Sequence, residues 1–461
     1  MPILQKISKK NKIIALAAFL TAIIIYLSFY VFFRSHFYFG TEINGVSVSG
    51  MTAEEADSEL AAFASAYSLV LNERGDMTEQ ITGAELGLSM GAEGGSDALK
   101  QEQNKTCFVK SLFIRDSLKL GTGFNVDESL LKAAYSKLSC VDSAKVTEPQ
   151  NAKIVYGGSG YEVVQEVYGN KASYDILYPA IKNAAANGIK ELDLEGIKCY
   201  INPTITADSD KVKDTKKLLE KYITARITYN YEGGSEVVDA PEIVEWAELD
   251  GDLNIVLNQT EIKSFVNSLA PHYNTVGKAR TFQTSTGNVI EVGGGDYGWK
   301  INASGEVAHL VEAIQNGTTE DRTPSYSQKG AVQGENDLGS TYVEINITAQ
   351  HMWYYKNGSL VVEGDVVTGN VSKGNGTPGG IYKLKYKERN ATLDGQDYST
   401  PVAYWMPFNN NIGIHDATWR TEFGKDIYLT AGSHGCVNSP YELAQTIYEN
   451  ISAGVPVIVY Y

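Results

Sequence analysis

Residues Ile13–Phe33 form a run of 21 residues without one charged side chain, and such a run has few places to go in a fold. As a helix rising 1.5 Å per residue it reaches about 30 Å, the thickness of a bilayer's hydrocarbon core. Lys6, Lys9, Lys10 and Lys12 precede it, whereas only Arg34 and His36 follow closely. That charge bias puts the N-terminus in the cytoplasm. A cleaved signal peptide is the competing reading, but the run is long for its apolar segment and no small-x-small site follows it. The expectation is a cytoplasmic tail over 1–12, a transmembrane signal anchor over 13–33, and the remaining chain outside.

Beyond the anchor the chain is ordinary globular protein. The 461 residues leave room for about three domains, with 43% apolar and 20% charged side chains and a net charge of −16. Nucleic-acid binding would need clustered Lys and Arg; the acidity reads as solubility. Cys107, Cys140, Cys199 and Cys436 contain no CxxC pair and match no zinc framework. Two disulfides would consume Cys436, so Cys436 is read as a free thiol, with at most one bridge among the other three.

Asn44-Gly45 opens a turn, and Thr52-Ala53-Glu54-Glu55 makes a capping box. Ala56, Leu60, Phe63 and Tyr67 then fall on one helical face, and Leu69–Leu71 reads as strand. Gly160–Val164 followed by a helix over Tyr174–Asn187 finds an echo in Tyr297–Ile301 followed by a helix over Glu306–Asn316. Each copy is preceded by an amphipathic helix, Ser129–Leu138 or Glu261–Leu269. These are two related α+β units, about 40–205 and 206–325. Residues 326–339 are polar with Gly and read as a linker. From 340 the chain turns mainly β: Val343–Ile347 alternates, and Met352–Tyr355, Lys356-Asn357-Gly358 and Leu360–Val362 read as strand, turn, strand. One helix stands out, with Ser439 as N-cap, Pro440 at N1 and a buried stripe of Leu443, Ile447 and Ile451. Val455–Tyr460 reads as a closing strand. The fold class is multi-domain α+β: a transmembrane helix, two repeated α+β units, and a mainly-β domain with one prominent helix.

Just before that helix, Ser433-His434-Gly435-Cys436-Val437-Asn438 combines a thiol, an imidazole and a glycine on a tight turn. A second histidine, His415, lies upstream in Ile412–Asp416. A cysteine needs a nearby base to attack a carbonyl at neutral pH, and a glycine lets backbone amides approach the developing oxyanion. Asp426–Thr430 reads as a strand, so Cys436 would lie on a strand-to-helix connection, where the helix dipole and an imidazole lower a thiol's pKa. A lone Cys is usually a small core residue; its His-Gly neighbours and the distant Gly-Ile-His favour catalysis. A zinc site from His415, His434 and Cys436 lacks the carboxylate base or CxxC that such sites use. His36, His272, His309 and His351 have no such company. Tyr404-Trp405-Met406-Pro407-Phe408 suits either a cleft wall or a core.

His415, seventeen residues, then Ser433–Asn438 resembles the signature of bacterial L,D-transpeptidase catalytic domains. Gly376-Thr377-Pro378-Gly379-Gly380-Ile381-Tyr382, Trp419-Arg420 with Phe423-Gly424, and Val366–Gly369 support it. The likeness covers roughly 340–461. The two upstream units resemble the peptidoglycan-binding domains that often precede such a domain. Ser439 departs from the pattern, standing where many relatives carry Met or Leu.

The resemblance implies that Cys436 is the nucleophile, His415 the general base and later acid, and the Gly435 and Cys436 amides the oxyanion hole. Ser433 and His434 would orient the base, and Asn438, Trp419, Arg420 and Tyr404 would meet substrate. No cofactor or metal is implied. The expected reaction is attack on the third residue of a tetrapeptide stem, release of D-alanine, and 3→3 cross-linking to a neighbouring stem. Two alternatives stay open: an L,D-carboxypeptidase, in which water resolves the acyl-enzyme, and a non-catalytic wall-binding scaffold. The partners are peptidoglycan stem peptides and, through the anchor, the cell membrane, with the catalytic domain on the wall side.

Overall fold

The computed structural model describes residues 9–91, 95–121, 123–334, 336–395 and 399–461. Of the expected tail, residues 1–8 lie outside the described residues. The chain divides into two compact units, one of residues up to 155 with 162–213, the other of 156–161 with 214–461.

In the first unit, Lys9–Phe32 is helical with no residue buried, and it is long and apolar enough to cross a membrane. Helix Ala53–Ala66 starts on the expected capping box: the Thr52 amide donates to the Glu55 carboxylate at 2.8 Å, and the Glu55 amide to Thr52 Oγ1 at 3.2 Å. Its apolar stripe puts Ala56, Leu60 and Ala64 into the core with Leu69 and Leu71 of the following strand. That strand, Ser68–Asn72, pairs antiparallel with Thr78–Thr82 and parallel with Glu191–Asp193, which comes after helix Tyr174–Ala186.

The second unit repeats this wiring. Arg226–Tyr231 pairs antiparallel with Gly234–Val238 and parallel with Thr319–Arg322, which comes after helix Ala303–Asn316. The two helices of the sequence echo thus each lead into the parallel strand of such a sheet, while the echo's Lys300–Ile301 pairs elsewhere, with Tyr326–Gln328.

From 340 onward two sheets face each other. The larger has the order Ser359–Asp365, His351–Lys356, Tyr342–Asn346, Pro456–Tyr460, Gly380–Lys383. The smaller has the order Glu388–Asp394, Ser399–Asn409, Ile412–Asp416, Val437–Ser439. Asn357 and Gly358, with φ of 52° and 79°, make the expected tight turn between Lys356 and Ser359. Val343, Ile345, Met406, Phe408 and Ile414 share one core with Leu443 and Ile447 of helix Tyr441–Asn450.

Glu344, a polar residue in the alternating stretch Val343–Ile347, is fully buried. The second face of its sheet is covered by the hairpin Arg280–Gln283/Val289–Val292, whose Phe282 and Val292 pack on Ile381, Ile458 and Tyr460. Glu344 accepts from the Ser285 amide at 2.9 Å and from the Ser285 and Tyr460 hydroxyls, each at 2.6 Å. Within the expected linker over 326–339, two places are held by the fold. Tyr326–Gln328 pairs with Lys300–Ile301, and Asp337 is buried against Arg280.

Two expectations near the site are corrected. Asp426–Thr430 is not a strand; Ile427–Ala431 forms a short helix. Five residues carry too little periodicity to separate the two. The backbone such a strand would seek, Val367 to Asn370, is already bonded to 433–438. Ser439 is not the N-cap. It is a fully buried strand residue, its hydroxyl donating to the His415 carbonyl at 3.1 Å, and Pro440 caps the helix instead.

Candidate active site

The smaller sheet sets the register. Ile412–Asp416 runs antiparallel to Ser399–Asn409 with Trp405 opposite His415, and parallel to Val437–Ser439 with His415 opposite Asn438. Paired residues in a sheet project to the same face, and so do residues two apart. His415, Asn438 and Cys436 therefore converge, and all three line one cleft of about 210 Å³. Leu393, Thr400, Trp419, Arg420, Gly432, Ser433 and His434 complete its wall. Gly413 is obligatory here: a Cβ would come within 2.6 Å of the Trp405 ring, and Trp405 packs with Cys436.

His415 is 3% exposed, and its Nδ1 lies 2.8 Å from the carbonyl oxygen of Asp416. A carbonyl only accepts, so Nδ1 carries the proton and Nε2 keeps its lone pair. Burial holds the imidazole below its ordinary value, opposed by the Asp416 carbonyl bond. Burial also pushes the Cys436 thiol up to about 11, with a backbone bond to Gly413 acting the other way. The resting pair is accordingly neutral thiol and neutral imidazole. The thiol-lowering helix dipole expected from the sequence is absent, because a strand separates Cys436 from the helix and such a field fades within about one turn.

The turn that carries Cys436 is clamped from several sides. Val367 and Asn438 exchange both backbone bonds at 2.9 Å, the Ser433 amide donates to the Thr368 carbonyl at 3.0 Å, and the Asn370 amide to the Ser433 carbonyl at 2.9 Å. Thr377 Oγ1 donates to the Gly435 carbonyl at 2.7 Å and accepts from the Gly369 amide at 2.9 Å. Gly435 has φ of +125°, a conformation open to glycine and strained for other residues.

Residues 340–459 match the family model of the L,D-transpeptidase catalytic domain, and residues 205–322 match that of a peptidoglycan-binding domain. An L,D-transpeptidase from Enterococcus faecium, solved as a cysteine-to-serine variant, is 30% identical. The match covers 53% of this chain and 98% of that one, with a TM-score of 0.42. The chain belongs to the L,D-transpeptidases. The catalytic domain of the E. faecium L,D-transpeptidase acylated by ertapenem is 40% identical, covering 27% of this chain and 98% of that one, with a TM-score of 0.25. Among curated proteins no match was found.

Within this L,D-transpeptidase, Cys436, His415, Ser433, His434, Asn438, Trp419 and Arg420 share the cleft. Tyr404 does not. Neighbouring strand residues face opposite sides, so while Trp405 meets His415, Tyr404 turns into the core beside Tyr441 and Tyr448. Ser433 does not orient the base either; its hydroxyl donates to the Cys436 carbonyl at 2.6 Å and accepts from the Gly435 amide at 3.0 Å. One expected oxyanion donor, the Gly435 N–H, is thus engaged inside the turn. The orienting group for His415 is the Asp416 main chain. Sequence reasoning had no signal for it, since every residue carries a carbonyl. Thr377 was legible only as part of a supporting motif. All four cysteines are free thiols, Cys107 exposed and the others buried.

Proposed function

We propose that this L,D-transpeptidase forms 3→3 cross-links in peptidoglycan through an acyl-enzyme on Cys436. The observation that carries the reading is that a neutral His415, with Nδ1 donated to the Asp416 carbonyl, lines the same cleft as the Cys436 thiol. His415 Nε2 takes the thiol proton as Sγ attacks the carbonyl of the third stem residue. The imidazolium then protonates the departing amine, releasing D-alanine and leaving a thioester. The side-chain amine of a neighbouring stem attacks that thioester, His415 accepts the amine's proton, and the thiol is regenerated. The Cys436 amide, with the Gly435 amide once the substrate oxygen displaces Ser433 Oγ, stabilises the oxyanion. Asn438 Oδ1 and Arg420 Nε are buried without a hydrogen-bond partner among the described residues. They supply an acceptor and a donor in the cleft wall for a peptide backbone.

The helix Lys9–Phe32 anchors the enzyme, its lysines cytoplasmic and the catalytic domain (340–461) on the wall side. The units about 40–205 and 206–325 serve as wall-directed spacers. Incubation with a disaccharide-tetrapeptide followed by mass spectrometry tests the reaction. A cross-linked dimer with loss of D-alanine is expected, whereas tripeptide alone indicates an L,D-carboxypeptidase and unchanged substrate a scaffold. Dimer formed by Cys436→Ala would sink the mechanism.

A further inference from the structure

A second segment of the first unit lies against the apolar helix. The Phe108 ring sits 5.2 Å from Tyr26, 5.3 Å from Phe33 and 6.5 Å from Phe29, centre to centre. Tyr26 precedes Phe33 by seven positions, so at 1.5 Å per residue it lies about 10 Å inside that end of the apolar run. A ring that touches both Tyr26 and Phe33 lies between their depths, inside the end of the run. Beyond Phe108 come Leu112, Phe113 and Ile114, three consecutive large apolar side chains that are 63%, 85% and 54% exposed. Lys110 and Arg115 bracket them.

The backbone here closes on itself. The Lys110 amide donates to the Cys107 carbonyl at 3.1 Å, the Phe113 and Ile114 amides to the Lys110 carbonyl at 3.1 and 3.0 Å, and the Ser111 hydroxyl to the Phe108 carbonyl at 2.7 Å. A segment can enter an apolar medium only when its polar main chain is satisfied internally, and this turn meets that condition at the Lys110, Phe113 and Ile114 amides.

We propose that Phe108–Ile114 is a second membrane contact, with Leu112, Phe113 and Ile114 inserted at the headgroup–acyl boundary of the leaflet on the wall side. The inference rests on reading Lys9–Phe32 as the anchor. Lipid is the occupant because the patch is continuous, through Phe108, with a helix that has no buried residue. Lys110 and Arg115 reach lipid phosphates along apolar stems; Lys110 spends one donor direction on Asp116, at 3.7 Å. The contact holds the first unit at a fixed tilt to the bilayer, where a single helix would let it swivel.

The test uses the full chain in phosphatidylcholine–phosphatidylglycerol vesicles with and without brominated acyl chains, which quench tryptophan on contact. Phe113→Trp reports the segment and Leu20→Trp the helix, each read as emission added to that of the unsubstituted chain. Loss of the added emission in brominated vesicles is expected for both. Quenching of Leu20→Trp with Phe113→Trp unaffected overturns the second contact and leaves the anchor standing. An unquenched Leu20→Trp overturns the anchor, and this inference with it. Phe113 is too exposed for its replacement to disturb packing.

Discussion

His415 donates its Nδ1 proton to the carbonyl oxygen of Asp416, the next residue in its own strand, across 2.8 Å. The base is therefore oriented by main chain, and no side chain has to be in place for Nε2 to present its lone pair. Substituting Asp416 keeps a carbonyl at that position but frees the Tyr404 amide that its carboxylate accepts at 2.8 Å, whereas replacing His415 removes the base. His415→Gln is expected to slow acylation by about 10²–10⁴-fold, the usual worth of a general base, as read from the rate of D-alanine release from a disaccharide-tetrapeptide by mass spectrometry. Cys436→Ala should release none.

The same burial predicts a pH profile. Because the folded-state pKa of His415 is held below the ordinary 6.5, the base stays neutral as pH falls through 6.5. The acid limb of kcat/KM should therefore lie below that value. For stability the sign runs the other way. Below 6.5 the unfolded chain binds a proton that the folded chain refuses, so stability declines from pH 6.5 down to the folded pKa and levels off beneath it. Thermal melts of the wild type should show this decline, and His415→Gln should show less of it.

The Cys436 thiol, pushed up to about 11, should be a poor nucleophile toward a reagent that cannot use His415. Alkylation at Cys436 by iodoacetamide, tracked by peptide mass spectrometry, should rise with pH well beyond 8. A plateau reached by pH 7 would show a preformed thiolate and refute the neutral pair.

Arg280 and Asp337 form an ion pair in which neither side chain is exposed, with Nε–Oδ1 at 3.0 Å. Asp337→Ala strands a buried guanidinium and should cost about 3–5 kcal/mol in chemical denaturation. Replacing both residues with apolar ones of similar volume should recover much of that loss.

Thr377 bridges the Gly369 amide and the Gly435 carbonyl. Thr377→Val keeps the shape and leaves both groups unpaired, an expected cost of about 1–3 kcal/mol for each. Since one of them belongs to the nucleophile turn, acylation should slow as well, a joint loss that melts and D-alanine release together can measure.

Legibility tracked how local the cause was. The capping box at Thr52 and Glu55 and the turn at Asn357-Gly358 involve neighbours in sequence, and both read correctly. Strand or helix at 427–431, and Ser439 as cap or core, depended on which backbone was already paired elsewhere. Alternation over Val343–Ile347 describes one strand and carries no sign that Glu344 is buried. It is buried because a hairpin about sixty residues upstream covers the other face of its sheet.

The sequence by itself determined the chemistry: a thiol and an imidazole at family spacing, glycines where no side chain fits, and an apolar run long enough for a bilayer. Tertiary structure decided the working state of that chemistry. Parallel pairing of Ile412–Asp416 with Val437–Ser439 put His415 and Cys436 on one cleft, a backbone carbonyl chose the tautomer, and burial kept both groups neutral. Residue identity specifies which proton can move. Pairing partners and exclusion of water, which only the folded chain supplies, specify where that proton rests.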